Sequence, residues 1–141
     1  MKRIICLLSV MLLLLCGCGG ELPFFVKDVS ELTDFRCYMS CGDSETVLYG
    51  DDAKAAYHLI TEALRNMQET TEGPKGQSIG MVFWVGDGDP RTDAVPFDRQ
   101  YGCYSVSEEG IGMYVDTIFS SCSSHYQVKP AVYTALLKMM K

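Results

Sequence analysis

Short β-type runs bounded by turn residues recur along the chain and predict most of its strands. Residues 35–41 and 46–49 form two such runs on either side of Gly42-Asp43-Ser44, and this arrangement predicts a hairpin. The apolar run that begins at Ser78 is bounded by glycines and predicts a largely buried strand. Three more strands are predicted at residues 93–98, 102–106 and 111–116. Pro96 restricts the first of these three to a sheet edge or interrupts it.

Two other segments repeat their apolar residues with helical period. Residues 51–69 place six apolar side chains on one face, and Asp51 or Asp52 is a natural N-cap. Residues 126–141 place Pro130 in the first turn of a second helix. The predicted apolar faces are Ala56, Leu59, Ile60, Ala63, Leu64 and Met67 in the first helix, and Val132, Tyr133, Leu136, Leu137 and Met140 in the second. The predicted order is β-β-α-β-β-β-β-α, an α+β fold with two helices on one face of an antiparallel sheet of about five to six strands.

The N-terminus has the pattern of an export signal. Met1-Lys2-Arg3 is followed by an apolar run from Ile4 to Leu15, interrupted only by Cys6 and Ser9. A transmembrane helix needs about 20 apolar residues, so this run is too short to span a bilayer. It ends at small residues, not at a charged flank.

Leu15-Cys16-Gly17-Cys18 resembles the lipobox of bacterial lipoproteins, with leucine three positions before the modified cysteine and a small residue directly before it. Cys16 fits this pattern poorly, because the bulky Leu15 precedes it. The resemblance implies cleavage before Cys18 and acylation of that cysteine. Two or three acyl chains anchor a protein stably, since each buried methylene contributes about 0.8 kcal/mol. The alternative is an ordinary cleaved signal followed by a chance cysteine.

The resemblance also implies a domain organisation and a location. Residues 1–17 are a signal peptide, residues 18–32 are the lipidated cysteine with a short tether, and residues 33–141 are one globular domain. The lipid bilayer is a partner through acylated Cys18, and the domain lies on the extracytoplasmic face of the cell membrane. The pattern Y-x-V-x-P-x-x-Y-x-x-L from Tyr126 to Leu136, with the predicted element order, is similar to small uncharacterised lipoprotein domains of Gram-positive bacteria.

The charge of the chain argues against nucleic acid as a partner. The full sequence has 12 Lys and Arg, 18 Asp and Glu, and a formal charge of −6. Removal of residues 1–17 takes away Lys2 and Arg3 and leaves 10 basic against 18 acidic residues, a formal charge of −8. Nucleic acid is therefore not expected as a partner, because phosphate contacts require a basic patch.

Four cysteines follow Cys18 in the mature chain and are candidates for disulfides or free thiols. Two of them, Cys37 and Cys41, lie about 13 Å apart if their run is extended, beyond the roughly 7 Å limit for a bridge. Bridges from this pair to Cys103 or Cys122, a Cys103–Cys122 bridge, and four buried thiols all stay open.

Other chemistry has weaker signals. Residues 87–98 space carboxylates like a calcium loop, but Arg91 and Thr92 occupy positions that need a ligand and a glycine, so a solvated loop is the better interpretation. Zinc could be held by Cys37, Cys41, Cys122 and His125, although a second close cysteine pair is missing. No metal and no cofactor is expected.

Catalysis and binding by aromatic residues are two further hypotheses. A cysteine nucleophile would have to pair Cys103 or Cys122 with His58 or His125, and no local signature surrounds them. Aromatic residues are dense in the last third of the chain, where a tyrosine-rich face could bind a protein or glycan, and core packing is the alternative. They are Tyr101, Tyr104, Tyr114, Phe119, Tyr126 and Tyr133.

The sequence as a whole favours a membrane-anchored lipoprotein with a non-catalytic domain that binds an unknown protein or a cell-envelope ligand. The alternative is a small Cys/His-dependent enzyme or metal-binding module at the cell surface. A transporter's substrate-binding component is disfavoured, because the 124 residues after the signal are too few for two lobes.

Overall fold

The computed structural model describes residues 26–65, 68–91, 97–115 and 123–141. Within these ranges the chain forms seven strands, two α-helices and one short 3-10 helix at Phe97–Arg99. The strands are β1 (Phe35–Cys41), β2 (Ser44–Tyr49), β3 (Glu69–Thr70), β4 (Ser78–Val85), β5 (Gln100–Ser107), β6 (Ile111–Val115) and β7 (Ser123–Gln127). The helices are α1 (Gly50–Arg65) and α2 (Pro130–Met139).

All seven strands pair antiparallel in one sheet of order β2-β1-β4-β5-β6-β7-β3. The predicted hairpin is formed by β1 and β2, where Gly42 takes a φ of 59° in a two-residue turn between Cys41 and Ser44. The protein is therefore an α+β protein with an antiparallel sheet and two helices, as the sequence predicts.

The number of strands differs from the predicted five to six. Phe97 and Asp98, expected at the end of a strand, belong instead to the 3-10 helix, and residues 92–96 lie outside the described ranges. Two observed strands, β3 and β7, were not predicted. The β7 sequence SSHYQ lacks alternation of apolar and polar residues, and β3 has only two residues. Both are defined by the backbone pairing of β7 with β6 and β3, which short-range patterns do not reveal.

Both α-helices pack on the same face of the sheet. Leu64 of α1 lies against Gly112 of β6, and Tyr133 of α2 contacts Cys41 of β1. Since α1 begins directly after β2 and reaches β6 near its C-terminal end, it crosses the sheet diagonally. Its buried residues are Ala53, Ala56, Tyr57, Ile60, Thr61, Ala63 and Leu64, which include most of the predicted apolar face. The helix begins at Gly50, so Asp51 and Asp52 lie in its first turn, where their charge favours the helix dipole.

Tyr57 is the centre of an aromatic cluster between α1 and the sheet. Its ring centroid lies 5.6 Å from that of Phe35, 5.2 Å from Phe83 and 6.2 Å from Tyr104, each time with the rings edge to face. These three partners belong to the adjacent strands β1, β4 and β5. Edge-to-face aromatic pairs contribute about 0.5–1.5 kcal/mol beyond their buried area, so one helical side chain stabilises the register of three strands.

The second helix closes the other end of the core. Pro130 occupies its first turn, as predicted, and Tyr133 and Leu136 are buried. The Tyr133 hydroxyl lies 3.6 Å from the Cys41 Sγ, and this contact raises the pKa of Tyr133 to about 12. The thiol of Cys41 is therefore part of a packed contact between α2 and β1.

The segment 26–32, expected to be tether, packs on the domain. Val29 is fully buried in the core. The backbone N–H of Lys27 donates to the Tyr57 hydroxyl at 3.1 Å, and its Nζ donates to the Gln100 carbonyl at 3.1 Å. The Lys54 Nζ donates to the Ser30 carbonyl at 2.9 Å. The described domain therefore begins by residue 26, and not at residue 33, because a buried valine and three hydrogen bonds hold this segment.

Substitution of Gly112 tests the packing of α1 on the sheet. A Cβ at this position would lie 2.7 Å from the Leu64 Cδ2 and 2.9 Å from the Val128 Cγ1. Overpacking of this kind costs about 1–3 kcal/mol, so we expect Gly112→Ala to lower the free energy of unfolding by that amount. Urea unfolding followed by the fluorescence of Trp84, which is the single tryptophan and is buried, measures the change.

Gly80→Ala is the matched control on the opposite face. Its nearest neighbour would be the Ser40 Oγ at 3.4 Å, which is an ordinary contact distance. We expect this variant to be neutral or stabilised by up to about 1 kcal/mol, because alanine reduces the entropy of the unfolded chain. Equal destabilisation of both variants would contradict the position of α1.

Candidate binding surface

The face of the sheet opposite α1 and α2, here the open face because neither α-helix covers it, carries side chains from every long strand. Because paired residues share a face in an antiparallel sheet, the register defines its members. Three rows run across β2, β1, β4 and β5: Tyr49, Arg36, Trp84 and Gln100; Val47, Tyr38, Val82 and Cys103; and Glu45, Ser40, Gly80 and Ser105. Of these residues, Trp84 is buried and the others are half-buried or exposed.

Arg36 is held on the open face by two carboxylates and one aromatic ring. Its Nε donates to Asp34 Oδ1 at 2.9 Å, and its Nη2 donates to Asp87 Oδ1 at 3.1 Å. The guanidinium lies 5.5 Å from the ring centroid of Tyr49, which is 60% exposed. Hydrogen bonding to Asp34 is the largest factor that raises the pKa of Arg36.

Arg91 has a similar environment at the neighbouring row. Its Nε and Nη2 donate to the two carboxylate oxygens of Asp89 at 2.8 and 2.6 Å, and its Nη1 donates to Glu45 Oε2 at 3.3 Å. The guanidinium lies 5.6 Å from the ring centroid of Tyr38. The Arg91 side chain and its backbone N–H together lower the pKa of Asp89 to about 2. Hydrogen bonding to Glu45 is the largest factor that raises the pKa of Tyr38.

These residues form one group, which we call the Arg–Tyr cluster. It consists of Arg36, Tyr38, Tyr49 and Arg91 with their acidic partners Asp34, Glu45, Asp87 and Asp89. Arginine and tyrosine are enriched at the centres of protein interfaces, where they combine apolar area with directed hydrogen bonds. Each guanidinium is bidentate or shared between two acids, so both guanidinium groups are oriented beside the tyrosine rings before any partner binds.

The tyrosines singled out in the last third of the chain are mainly core residues. Tyr104, Tyr126 and Tyr133 are buried, while Tyr101 and Tyr114 pack against the core. Phe119 lies outside the described ranges. Sequence reasoning missed the tyrosines of the first hairpin, Tyr38 and Tyr49, which occupy the open face. The signal was available in β1, because apolar residues at alternate positions of this strand leave Arg36, Tyr38 and Ser40 on the opposite side.

The described cysteines lie on both faces of the sheet and are free thiols. Cys37 and Cys41 are buried with the helices, whereas Cys103 lies on the open face opposite Val82. Cys37 and Cys103 are therefore separated by the sheet itself. Burial raises the pKa of the Cys103 thiol, and raises that of Cys37 strongly. Cys18 and Cys122 lie outside the described ranges.

The histidines do not complete a catalytic or metal-binding group with these cysteines. His125 lies on the open face of β7, four strand positions from β1, which corresponds to about 19 Å from Cys37 and Cys41. His58 is exposed on α1, across the sheet from Cys103. The part of the chain that the structure describes contains no group of three His, Cys, Asp or Glu side chains placed to hold a metal ion.

Comparison of the chain with protein-family models, with curated proteins and with solved structures found no match. In the four described ranges, no helix is both long enough and apolar enough to cross a membrane.

The low pKa of Asp89 gives a test of the cluster in solution. A lowered pKa means that the Asp89–Arg91 interaction is complete above about pH 4 and is lost as the pH falls through about 2. We expect Arg91→Ala to raise the titration midpoint of Asp89 towards its ordinary value of 3.8. The rise should be partial, because the backbone N–H of residue 91 still donates to Asp89. NMR titration of the side-chain carboxyl carbons measures the midpoint. Arg36→Ala is the control, and an unchanged midpoint in Arg91→Ala would contradict the assigned contact.

Proposed function

We propose that the protein is a lipoprotein anchored on the extracytoplasmic face of the cell membrane, and that its domain binds a partner non-covalently through the Arg–Tyr cluster. The observation that carries the proposal is the arrangement of two guanidinium–tyrosine pairs on a sheet face that neither α-helix covers. The partner is a protein or a cell-envelope component, and the protein acts without catalysis.

The anchor is supported by Leu15-Cys16-Gly17-Cys18 and by the charge of the mature chain. A domain with a formal charge of −8 is repelled by anionic headgroups, so acyl chains on Cys18 are the membrane contact that the chemistry favours. The described part of the domain begins at residue 26, so at most the eight residues from Cys18 to residue 25 would separate the lipid from it. Eight residues span at most about 28 Å.

A lipid on Cys18 would bring the end of the domain that holds Lys27 nearest the membrane. Lys27 is bonded to Gln100, the first residue of β5, which lies in the same row as Arg36 and Tyr49. The Arg36–Tyr49 part of the Arg–Tyr cluster therefore lies at the end of the sheet where Lys27 is docked. A partner that reaches this cluster must itself be present close to the bilayer.

Binding is favoured over cysteine catalysis by the environment of the described thiols. A cysteine nucleophile acts as a thiolate, and burial raises the pKa of both Cys37 and Cys103. On the open face, Cys103 and His125 lie two strands apart and two residues out of register, which separates them by more than about 10 Å. A general base needs to lie within about 3.2 Å of the group that it deprotonates.

Replacement of Cys18 tests the anchor. We expect Cys18→Ala to release the protein from membranes, because this change removes the acylated side chain. Fractionation of cells and mass spectrometry of the mature protein measure the effect. Cys16→Ala is the matched control and should stay membrane-bound with the lipid mass intact. Release by Cys16→Ala with retention of Cys18→Ala would show that the cleavage site is wrongly assigned.

Photo-crosslinking tests binding at the cluster. We expect a photoreactive phenylalanine analogue in place of Asp87, whose side chain is 98% exposed beside Arg36, to give a light-dependent adduct with another molecule in intact cells. The matched control is the same replacement at Glu62, which pairs with Arg65 on α1 and is 65% exposed. Mass spectrometry identifies the adducts. Adducts of equal yield at both positions, or none at position 87, would contradict binding at the cluster.

A further inference from the structure

The two edges of the sheet differ in a way that points to an interaction. One edge is β3, which has only two residues and pairs with β7. Very short strands are one of the ways in which proteins protect a sheet edge from pairing with other chains. The other edge is β2, with six residues, Ser44–Tyr49, and no proline, lysine or arginine. It pairs with β1 along its whole length without a register shift.

Within the described ranges, the outer side of β2 is not paired with another strand. Among the described residues, no helix or strand other than β1 pairs with it, and α1 runs from its end away across the sheet. Cys41 and Ser44 close the two-residue turn, so the backbone groups of Ser44 bond to β1. Because bonding alternates along an antiparallel strand, the backbone N–H and C=O groups of Glu45, Val47 and Tyr49 are predicted to point outwards, away from β1. Tyr49 is also the one exposed large apolar side chain in the described part of the chain.

The sequence of β2 is complementary to itself in one antiparallel register. In that register Val47 faces Val47 of a second copy, and Glu45 faces Tyr49 in both directions. Like charges do not face each other, because Glu45 is the sole charged residue of the strand. The carboxylate of Glu45 in one copy would lie beside the Tyr49 ring of the other copy. That ring already contacts the Arg36 guanidinium of its own copy. The Tyr49 ring would then have the Arg36 guanidinium of its own copy and the Glu45 carboxylate of the other copy as neighbours.

We propose that two copies of this chain pair through β2 in this register, antiparallel about a two-fold axis at Val47, to form one continuous sheet. A self-complementary strand satisfies its outer backbone groups in both copies at once, which is the property of an interface between identical surfaces. The two open faces then join, and the central row reads Tyr38, Val47, Val47 and Tyr38 across the interface. The pairing goes beyond the binding function proposed above and does not require the lipid anchor.

A cysteine scan of β2 in the full-length chain tests the pairing and its register. Facing residues of a hydrogen-bonded antiparallel pair have Cα atoms about 5.5 Å apart, within the range of a disulfide. We expect Val47→Cys, under mild oxidation of intact cells, to give a disulfide-linked product with the mass of two copies. Thr46→Cys and Leu48→Cys are the matched controls, because diagonal neighbours lie about 8 Å apart, beyond the roughly 7 Å limit.

A second pair of variants keeps the test independent of Val47. Cells that make both Glu45→Cys and Tyr49→Cys chains should form a mixed two-copy product, whereas neither variant alone should form one. The unmodified chain gives the background from its own cysteines, and Trp84 fluorescence checks that each variant is folded. Both experiments can be read whether or not Cys18→Ala releases the protein from membranes.

Three results would overturn the proposal. Equal two-copy yields from all three scan positions would indicate random collision. The absence of a two-copy product from both Val47→Cys and the mixed pair would show that β2 does not pair with itself. A product whose mass equals one copy plus a different protein would show that the edge strand takes another partner.

Discussion

The packing of Tyr57 against three strands is the contact on which the rest of the structure depends. Its ring meets Phe35, Phe83 and Tyr104, so it fixes α1 across the middle of the sheet. Its hydroxyl accepts the backbone N–H of Lys27, so the same side chain also fixes the segment that precedes β1. One helical position thus links the N-terminal segment, the helix and the sheet. Because all of these contacts are on one face, the polar and charged residues Arg36, Ser40 and Glu45 lie on the opposite face.

The parts of the fold that the sequence predicted are those with strong local patterns. The hairpin of β1 and β2, the helices α1 and α2, and the apolar strand β4 follow from periodicity, turn residues and Pro130. Strand β7 was missed because its serine-rich sequence has no apolar face, and it is a strand only through pairing with β6 and β3. The docking of residues 26–32 was missed for a similar reason, since Lys27 bonds to Tyr57 and Gln100, which are 30 and 73 residues away.

The Arg–Tyr cluster could not be predicted as a unit, because it depends on contacts between distant residues. Arg36 bonds to Asp87, 51 residues away, and Arg91 bonds to Glu45, 46 residues away. The loop that begins at Asp87 looked like a solvated acidic loop, and two of its carboxylates instead orient guanidinium groups over tyrosine rings. The aromatic density of the last third was more conspicuous in sequence, but alternation places much of it in the core. The sequence does not show which residues of β1, β2 and β4 lie beside each other in the sheet, and the cluster could not be recognised without that pairing.

The proposed binding surface and the proposed pairing edge share residues, so the two properties are thermodynamically linked. Tyr49 and Glu45 belong to the Arg–Tyr cluster and to the outer side of β2. A partner that contacts both clusters of a joined sheet binds the paired state more tightly than a single copy, and it therefore stabilises pairing by the same free energy. The proposed attachment to a membrane would act in the same direction, because it would confine the copies to two dimensions and raise their effective concentration. A weak edge-to-edge contact, too weak to persist in dilute solution, is then sufficient to present two clusters side by side.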